Sequence, residues 1–222
     1  MSASPVLLWD FDGTLADTHP LWRGAIAGVI GDRDGAIDEV TMRRALDSSS
    51  AGVVALIRDA IGAPLPAGEL LEDLWGRVHR RVAVRTPWIP DARRLVVEAH
   101  QVGVRCGLVS NSPRMLLEAA LASLPAGLFE CVVAAEDVTA AKPDPAGYLQ
   151  ALAVMGVAAE QALALEDSRT GATAAIAAGV PVLHVGPTPL VDLPVAADIV
   201  SFAGVTVSDL LDLPGGELPP GR

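Results

Sequence analysis

Four short segments of this 222-residue chain carry side chains that could do chemistry together. The first is Asp10-Phe11-Asp12-Gly13-Thr14. Its two carboxylates stand two residues apart, so on a regular strand they share one face. Like charges about 4 Å apart repel by roughly 4 kcal/mol at an effective dielectric of about 20, and a divalent cation offsets that. A solvated Asp-x-Asp-Gly turn is the plainer reading of the same residues. The second segment is Val109-Ser110-Asn111-Ser112, a hydroxyl and an amide able to hydrogen-bond phosphate oxygens. Ser112 before Pro113 also reads as a helix N-cap followed by the first helical residue. The third is Ala141-Lys142-Pro143-Asp144. Lys142 is the only lysine in the chain; every other basic residue is an arginine. A compact ammonium locked before a proline makes a fixed point charge; an ordinary surface lysine is the alternative. The fourth, Leu165-Glu166-Asp167-Ser168-Arg169-Thr170-Gly171, holds a second acidic pair. Oxygen ligands in this number suit a hard cation such as Mg2+. Asp167 could instead cap the helix beginning near Gly171, which leaves Glu166 unexplained.

These segments need a frame that brings them together. Short apolar or β-branched runs recur at Val6–Trp9, Val104–Val109, Cys131–Ala134, Ala162–Leu165, Val180–Val185 and Ile199–Phe202, each suited to a strand buried on both faces. Helical patterns alternate with them at Ala92–Gln101, Pro113–Ser123, Asp144–Met155, Gly171–Ala178 and Ser208–Leu211. Gly103, Gly156 and Gly179 follow helical runs and suit a left-handed C-terminal residue. The alternation predicts an α/β fold with a doubly wound, Rossmann-like parallel sheet. In such a sheet ligands bind at the carboxyl ends of the strands, where the strand order reverses. All four segments fall there, so they are expected to converge on one crevice. Between Ala16 and Arg85 the rhythm breaks into four helical patterns, Pro20–Ile30, Ile37–Leu46, Gly52–Ile61 and Gly68–Val84. The expected organisation is a core of residues 1–15 and 87–213, an inserted helical bundle of 16–86, and a disordered tail of 214–222.

Composition narrows the partners. The net charge of −11 disfavours nucleic acid, so any phosphate chemistry requires a locally positive site. Hydrophobic residues make up 51% of the chain, ample for a core. No apolar stretch reaches membrane-spanning length without a charge or breaker, and Met1–Pro5 is too short for a signal peptide; a cytoplasmic monomer or homodimer is expected. Cys106 and Cys131 lie in apolar runs and read as buried, reduced thiols. His19, His79, His100 and His184 show no ligand spacing. The basic run Arg77-Val78-His79-Arg80-Arg81 reads as a solvated helix face offsetting Glu69, Glu72 and Asp73, with a substrate-anion contact as the second reading.

Order and spacing of the four motifs resemble those of the haloacid dehalogenase superfamily, over nearly the whole chain from Val6 to about Leu211. Its phosphatases carry D-x-D-G-T, a strand-end Ser or Thr, a Lys before Pro and an acidic pair; here these stand as Asp10–Thr14, Ser110, Lys142-Pro143 and Glu166-Asp167. The helical insert is similar to the family's cap domain, and the phosphoglycolate phosphatase and β-phosphoglucomutase-like group matches best. The resemblance implies a Mg2+-dependent phosphatase acting on a small phosphorylated metabolite. Asp10 would be the nucleophile and form an aspartyl phosphate. Asp12 would be the general acid and base. Ser110 and Lys142 would bind phosphoryl oxygens, with Asn111 close by. The metal would lie on Asp10, the Asp12 main-chain carbonyl and Asp167, with Glu166 near or among the ligands. The family's 2-haloacid dehalogenases lack the second aspartate and need no metal, so Asp12 and Glu166-Asp167 disfavour that activity. Phosphomutases of the group resemble D-G-V/I and carry a histidine where Trp22 stands, so Thr14 and Trp22 favour hydrolysis. A response-regulator receiver, of about 100–150 residues, has no such insert, and an inactive scaffold has no need of intact motifs.

Overall fold

The computed structural model describes residues 5–46 and 48–213; the tail expected at 214–222 lies outside them. In chain order the elements are β1 (Val6–Trp9), α1 (His19–Gly31), α2 (Glu39–Leu46), α3 (Ser50–Ile61), α4 (Ala67–Val84), α5 (Pro90–Gln101), β2 (Cys106–Val109), α6 (Arg114–Leu121), β3 (Cys131–Val133), α7 (Ala146–Met155), β4 (Ala162–Glu166), α8 (Arg169–Ala177), β5 (Val182–Val185), β6 (Ala197–Ile199) and α9 (Val207–Asp212). They form two compact units. One holds the described residues up to Asp17, Trp88–Arg114 and those from Leu124 onward; the other holds Thr18–Pro87 and Met115–Ser123.

The first unit is built on one six-stranded parallel sheet in the order β3-β2-β1-β4-β5-β6. The sequence dictates this arrangement. β1, β2, β4 and β5 are buried at every residue and, apart from Glu166 and His184, apolar on both faces, so helices must cover both sides, as parallel connections provide. Strand order reverses about β1, flanked by β2 and β4. The Asp10 N–H donates to the Leu165 carbonyl at 3.0 Å and the Ser110 N–H to the Val133 carbonyl at 2.9 Å. The first residues past β1 and β2 are thus tied to the sheet. Gly103, Gly156 and Gly179 take positive φ after their helices, as expected. Cys106 and Cys131 are free and buried, and burial pushes the Cys106 thiol up to about 12.

One strand differs from expectation. The apolar run Ile199–Phe202 predicts a strand there, but β6 is Ala197–Ile199. Its register against Leu183, His184 and Val185 brings the charged Asp198 into the strand. Phe202 is buried for another reason: its ring packs 5.6 Å from that of Trp9. Core packing outside a strand mimicked a strand's apolar signal.

The second unit is helical, as the loss of strand rhythm predicts. Leu70, Leu74, Val78 and Val82 form one buried stripe along α4. Spacing of four residues puts such side chains on one face. Ala25, Ile26, Val29 and Ile30 of α1, Met42 and Ala45 of α2, and Val53, Val54 and Ile57 of α3 are buried as well. On the solvated side Arg77 pairs with Asp73 at 2.7 Å and with Asp32 at 2.5 Å, so that arginine is engaged by carboxylates. Among the described residues no helix is long and apolar enough to cross a membrane.

Candidate active site

β1 delivers Asp10 at its carboxyl end. Gly13 then adopts φ +89°, a conformation that residues with a Cβ avoid. The Leu15 and Ala16 N–H groups both donate to the Phe11 carbonyl at 3.0 Å, and the Gly13 N–H to the Ala16 carbonyl at 2.8 Å. This turn leaves Asp12 half-buried and aimed toward β2. Its Oδ2 accepts the Ser112 hydroxyl at 2.6 Å and the Ser110 hydroxyl at 3.3 Å. Ser112, readable as a helix cap, therefore gives its proton to Asp12. The Ser112 N–H in turn donates to Ser110 Oγ at 3.0 Å.

Lys142 arrives from the segment preceding α7. Its ammonium has three protons and meets three acceptors: Asp10 Oδ1 at 2.7 Å, Glu166 Oε1 at 2.7 Å and the Val109 carbonyl at 2.8 Å. The side chain is 6% exposed. An ordinary surface lysine is thereby excluded. Asn111 holds this segment reciprocally: the Lys142 N–H donates to its Oδ1 at 3.0 Å, and its Nδ2 donates to the Lys142 carbonyl at 3.3 Å. The amide thus positions the ammonium, a task the motif alone does not suggest.

β4 delivers Glu166 and Asp167. Glu166 is fully buried. Its Oε1 accepts from Lys142 and from the Tyr148 hydroxyl. The Tyr148 ring also lies 5.2 Å from the ammonium, within cation–π range. Tyr148 sits in α7 as an apolar-looking position, so nothing in the sequence marked it; only its hydrogen bond to Glu166 does. Gly171 makes room, since a Cβ there would overlap the Glu166 carboxylate. The cap of α8 is Ser168, which accepts the Gly171 N–H at 3.0 Å. Asp167 is thereby released from the capping role.

Asp10, Glu166 and Asp167 each offer an oxygen, and these lie within 4.8 Å of one another. Glu166 Oε2 is buried without a hydrogen-bond partner among the described residues. An all-oxygen, carboxylate donor set with one bare buried oxygen fits a hard divalent cation. Charge crowding points the same way. Burial, then the Glu166 and Asp12 charges, push the Asp10 carboxyl up to about 7 against the pull of Lys142. Burial, then Asp10, Glu166 and Asp12, push Asp167 up to about 9. Burial alone would lower Lys142, but the charges of Asp10 and Glu166 outweigh it and hold it above its ordinary value.

These shifts set a pH dependence. Both carboxyls bind protons more tightly folded than unfolded, so their contribution to stability is full below about pH 4 and is lost as pH rises through about 7 and then about 9. A divalent cation binds the deprotonated forms and reverses the loss. In EDTA the melting temperature is expected to fall between about pH 5 and about pH 9, and the increment on adding Mg2+ to grow over that range. Scanning calorimetry with and without Mg2+ measures both. An increment that does not change with pH would contradict the assignment of the cluster.

Comparisons with known proteins address the family and the fold. The chain is 30% identical over 213 residues to validoxylamine A 7'-phosphate phosphatase of Streptomyces hygroscopicus subsp. limoneus, covering 94% of this chain and 95% of that protein. It is 30% identical over 177 residues to hexitol phosphatase B of Escherichia coli K12, covering 77% and 78% of the two chains. Among solved structures, CbbY from Rhodobacter sphaeroides in complex with phosphate superposes with a TM-score of 0.82 at 26% identity, covering 94% of this chain and 99% of that one. The haloacid dehalogenase-like hydrolase model matches residues 5–179, a span running from the strand before Asp10 to the glycine that follows α8, and the chain belongs to that family.

Proposed function

We propose that this protein is a Mg2+-dependent phosphatase that hydrolyses a small organic phosphomonoester, of the sugar-phosphate or phosphoglycolate kind, through an aspartyl phosphate on Asp10. The carrying observation is the junction at Lys142 Nζ, which lies 2.7 Å from both Asp10 and Glu166 beside a three-carboxylate cluster that includes Asp167. Two of the relatives are named for phosphate-ester hydrolysis, one on validoxylamine A 7'-phosphate and one on hexitols, which supports the substrate class.

The chain's residues divide the work as follows. Asp10 attacks phosphorus in line; an Asp10 oxygen–phosphorus bond forms and the bond to the leaving oxygen breaks. Asp12, oriented by the Ser110 and Ser112 hydroxyls, gives its proton to that leaving oxygen, then takes one from the water that hydrolyses the acyl phosphate. Lys142 and Ser110 bind the transferring phosphoryl oxygens by each exchanging an acceptor, Asp10 or Glu166 for Lys142 and Asp12 for Ser110, with Asn111 keeping Lys142 in register. Asp10, Asp167 and the Asp12 main-chain carbonyl, with Glu166 beside them, would hold Mg2+, which when bound neutralises phosphoryl charge and draws the dianion toward a carboxylate. Lys142 lowers the same repulsion from the other side.

Purified protein incubated with p-nitrophenyl phosphate is expected to release p-nitrophenol repeatedly with Mg2+, to stop in excess EDTA, and to resume when Mg2+ is restored. No release under any of the three conditions would overturn the assignment. Release unaffected by EDTA would remove the metal from it.

A further inference from the structure

β5 pairs with β4 so that His184 stands opposite Glu166. The sheet register therefore places an imidazole beside the second acidic pair, where His184 is 2% exposed. Both of its ring nitrogens are engaged. Nε2 lies 3.1 Å from the main-chain carbonyl of Asp167. A carbonyl oxygen only accepts, so Nε2 carries a proton and donates it. Nδ1 lies 2.6 Å from Asp198 Oδ1, an oxygen that also accepts the Leu190 N–H at 3.2 Å. Whichever group holds the proton between Nδ1 and Oδ1, that bond fixes the plane of the ring.

The contact falls between two regular elements. β4 ends at Glu166, and α8 begins at Arg169 with Ser168 as its cap. Asp167 is the single residue between the last strand position and the helix cap. Its carbonyl is held from the neighbouring strand by His184, and its carboxylate lies within 4.8 Å of Asp10 and Glu166 oxygens. A small rotation of this residue would withdraw that carboxylate from the cluster.

We propose that His184, oriented by Asp198, is a positioning residue: it holds the Asp167 main chain so that the Asp167 carboxylate faces the cation site. This rests on the reading of Asp10, Glu166 and Asp167 as that site. Groups that orient a ligand without touching the metal commonly change affinity by about 10- to 100-fold when removed. The same relation here would run through a peptide carbonyl.

Two conservative substitutions separate positioning from packing. A glutamine amide nitrogen reaches about where Nε2 stands, and an asparagine amide about where Nδ1 stands. His184→Gln keeps a donor for Asp167; His184→Asn keeps only the Asp198 side. The measurement is calorimetric titration of each purified protein with Mg2+, with thermal melts in EDTA alongside. His184→Asn is expected to weaken Mg2+ binding by about 10- to 100-fold, and His184→Gln by less than about threefold. The two are expected to melt at similar temperatures. Wild-type affinity in a folded His184→Asn protein, or equal losses in both variants, would overturn the proposal. Should the asparagine variant not fold, the glutamine variant decides alone: near-wild-type affinity supports the proposal and a tenfold or greater loss rejects it. Wild-type protein that binds no Mg2+ would end the proposal too, and would mark the cation reading as the part that failed.

Discussion

Asp10→Asn is expected to lower phosphatase turnover by about 10^4-fold or more while leaving the fold intact. The amide oxygen of asparagine is a poor nucleophile and cannot form the acyl phosphate. The stability side follows from burial. Asp10 is 6% exposed, and its carboxyl is pushed up to about 7, first by burial. At about pH 8 the wild-type side chain is therefore ionised in surroundings that disfavour the charge, and a neutral amide of the same shape relieves that cost. Lys142 keeps Glu166 and the Val109 carbonyl as acceptors. In EDTA at about pH 8 the variant is expected to melt no lower than wild type. Steady-state kinetics and a thermal melt on the same preparation check both halves. A cooperatively folded variant that retains more than a few per cent of wild-type turnover would rule out the route through Asp10.

Lys142→Arg is expected to reduce kcat/KM by about 10^2- to 10^3-fold, the size of a lost donor aimed at developing charge. The charge is retained; the geometry is not. Three acceptors surround one nitrogen at 2.7, 2.8 and 2.7 Å, and a planar fork of several nitrogens cannot occupy the place of a single tetrahedral one. Lys142→Met tests the electrostatic side. It leaves Asp10 and Glu166 buried together without their shared cation, a change that typically costs about 3–5 kcal/mol. A denaturant melt of the methionine variant in EDTA reads that loss, and Mg2+ is expected to recover part of it. Wild-type rates in the arginine variant would show that Lys142 lies outside the reacting centre.

The two variants probe opposite errors. Removing the acid at Asp10 is expected to abolish chemistry and spare stability, because the fold carries that charge at a cost. Removing the cation at Lys142 is expected to damage both, because the same ammonium that would bind phosphoryl oxygens holds the carboxylates together.

The fold was legible because its signals are local. Runs such as VLLW and ALAL are apolar on both faces and suit a buried strand, and the glycines after α5, α7 and α8 mark helix ends by a backbone conformation that side chains disfavour. The signal failed at β6. There Asp198 interrupts the apolar pattern, and Phe202 is buried by packing on Trp9, so the apolar run starts two residues after the strand's first residue and ends three residues after its last.

What the sequence determines by itself is which residues come to the carboxyl edge of the sheet. Asp10, Ser110 and Glu166 each lie at or just past a strand end, and parallel pairing of apolar strands brings strand ends side by side. What only the tertiary structure decides is how each side chain's hydrogen bonds are spent. Ser112 donates to Asp12, Asn111 grips the Lys142 backbone, Tyr148 shares Glu166 with Lys142, and His184 reaches Asp167. These partners lie between 18 and 100 residues apart except for His184, which stands 17 from Asp167. Periodicity along a chain reports which face a residue occupies. It carries no record of the partner that a polar atom meets once that face is packed against another element, because the meeting depends on register and on angstrom-scale approach.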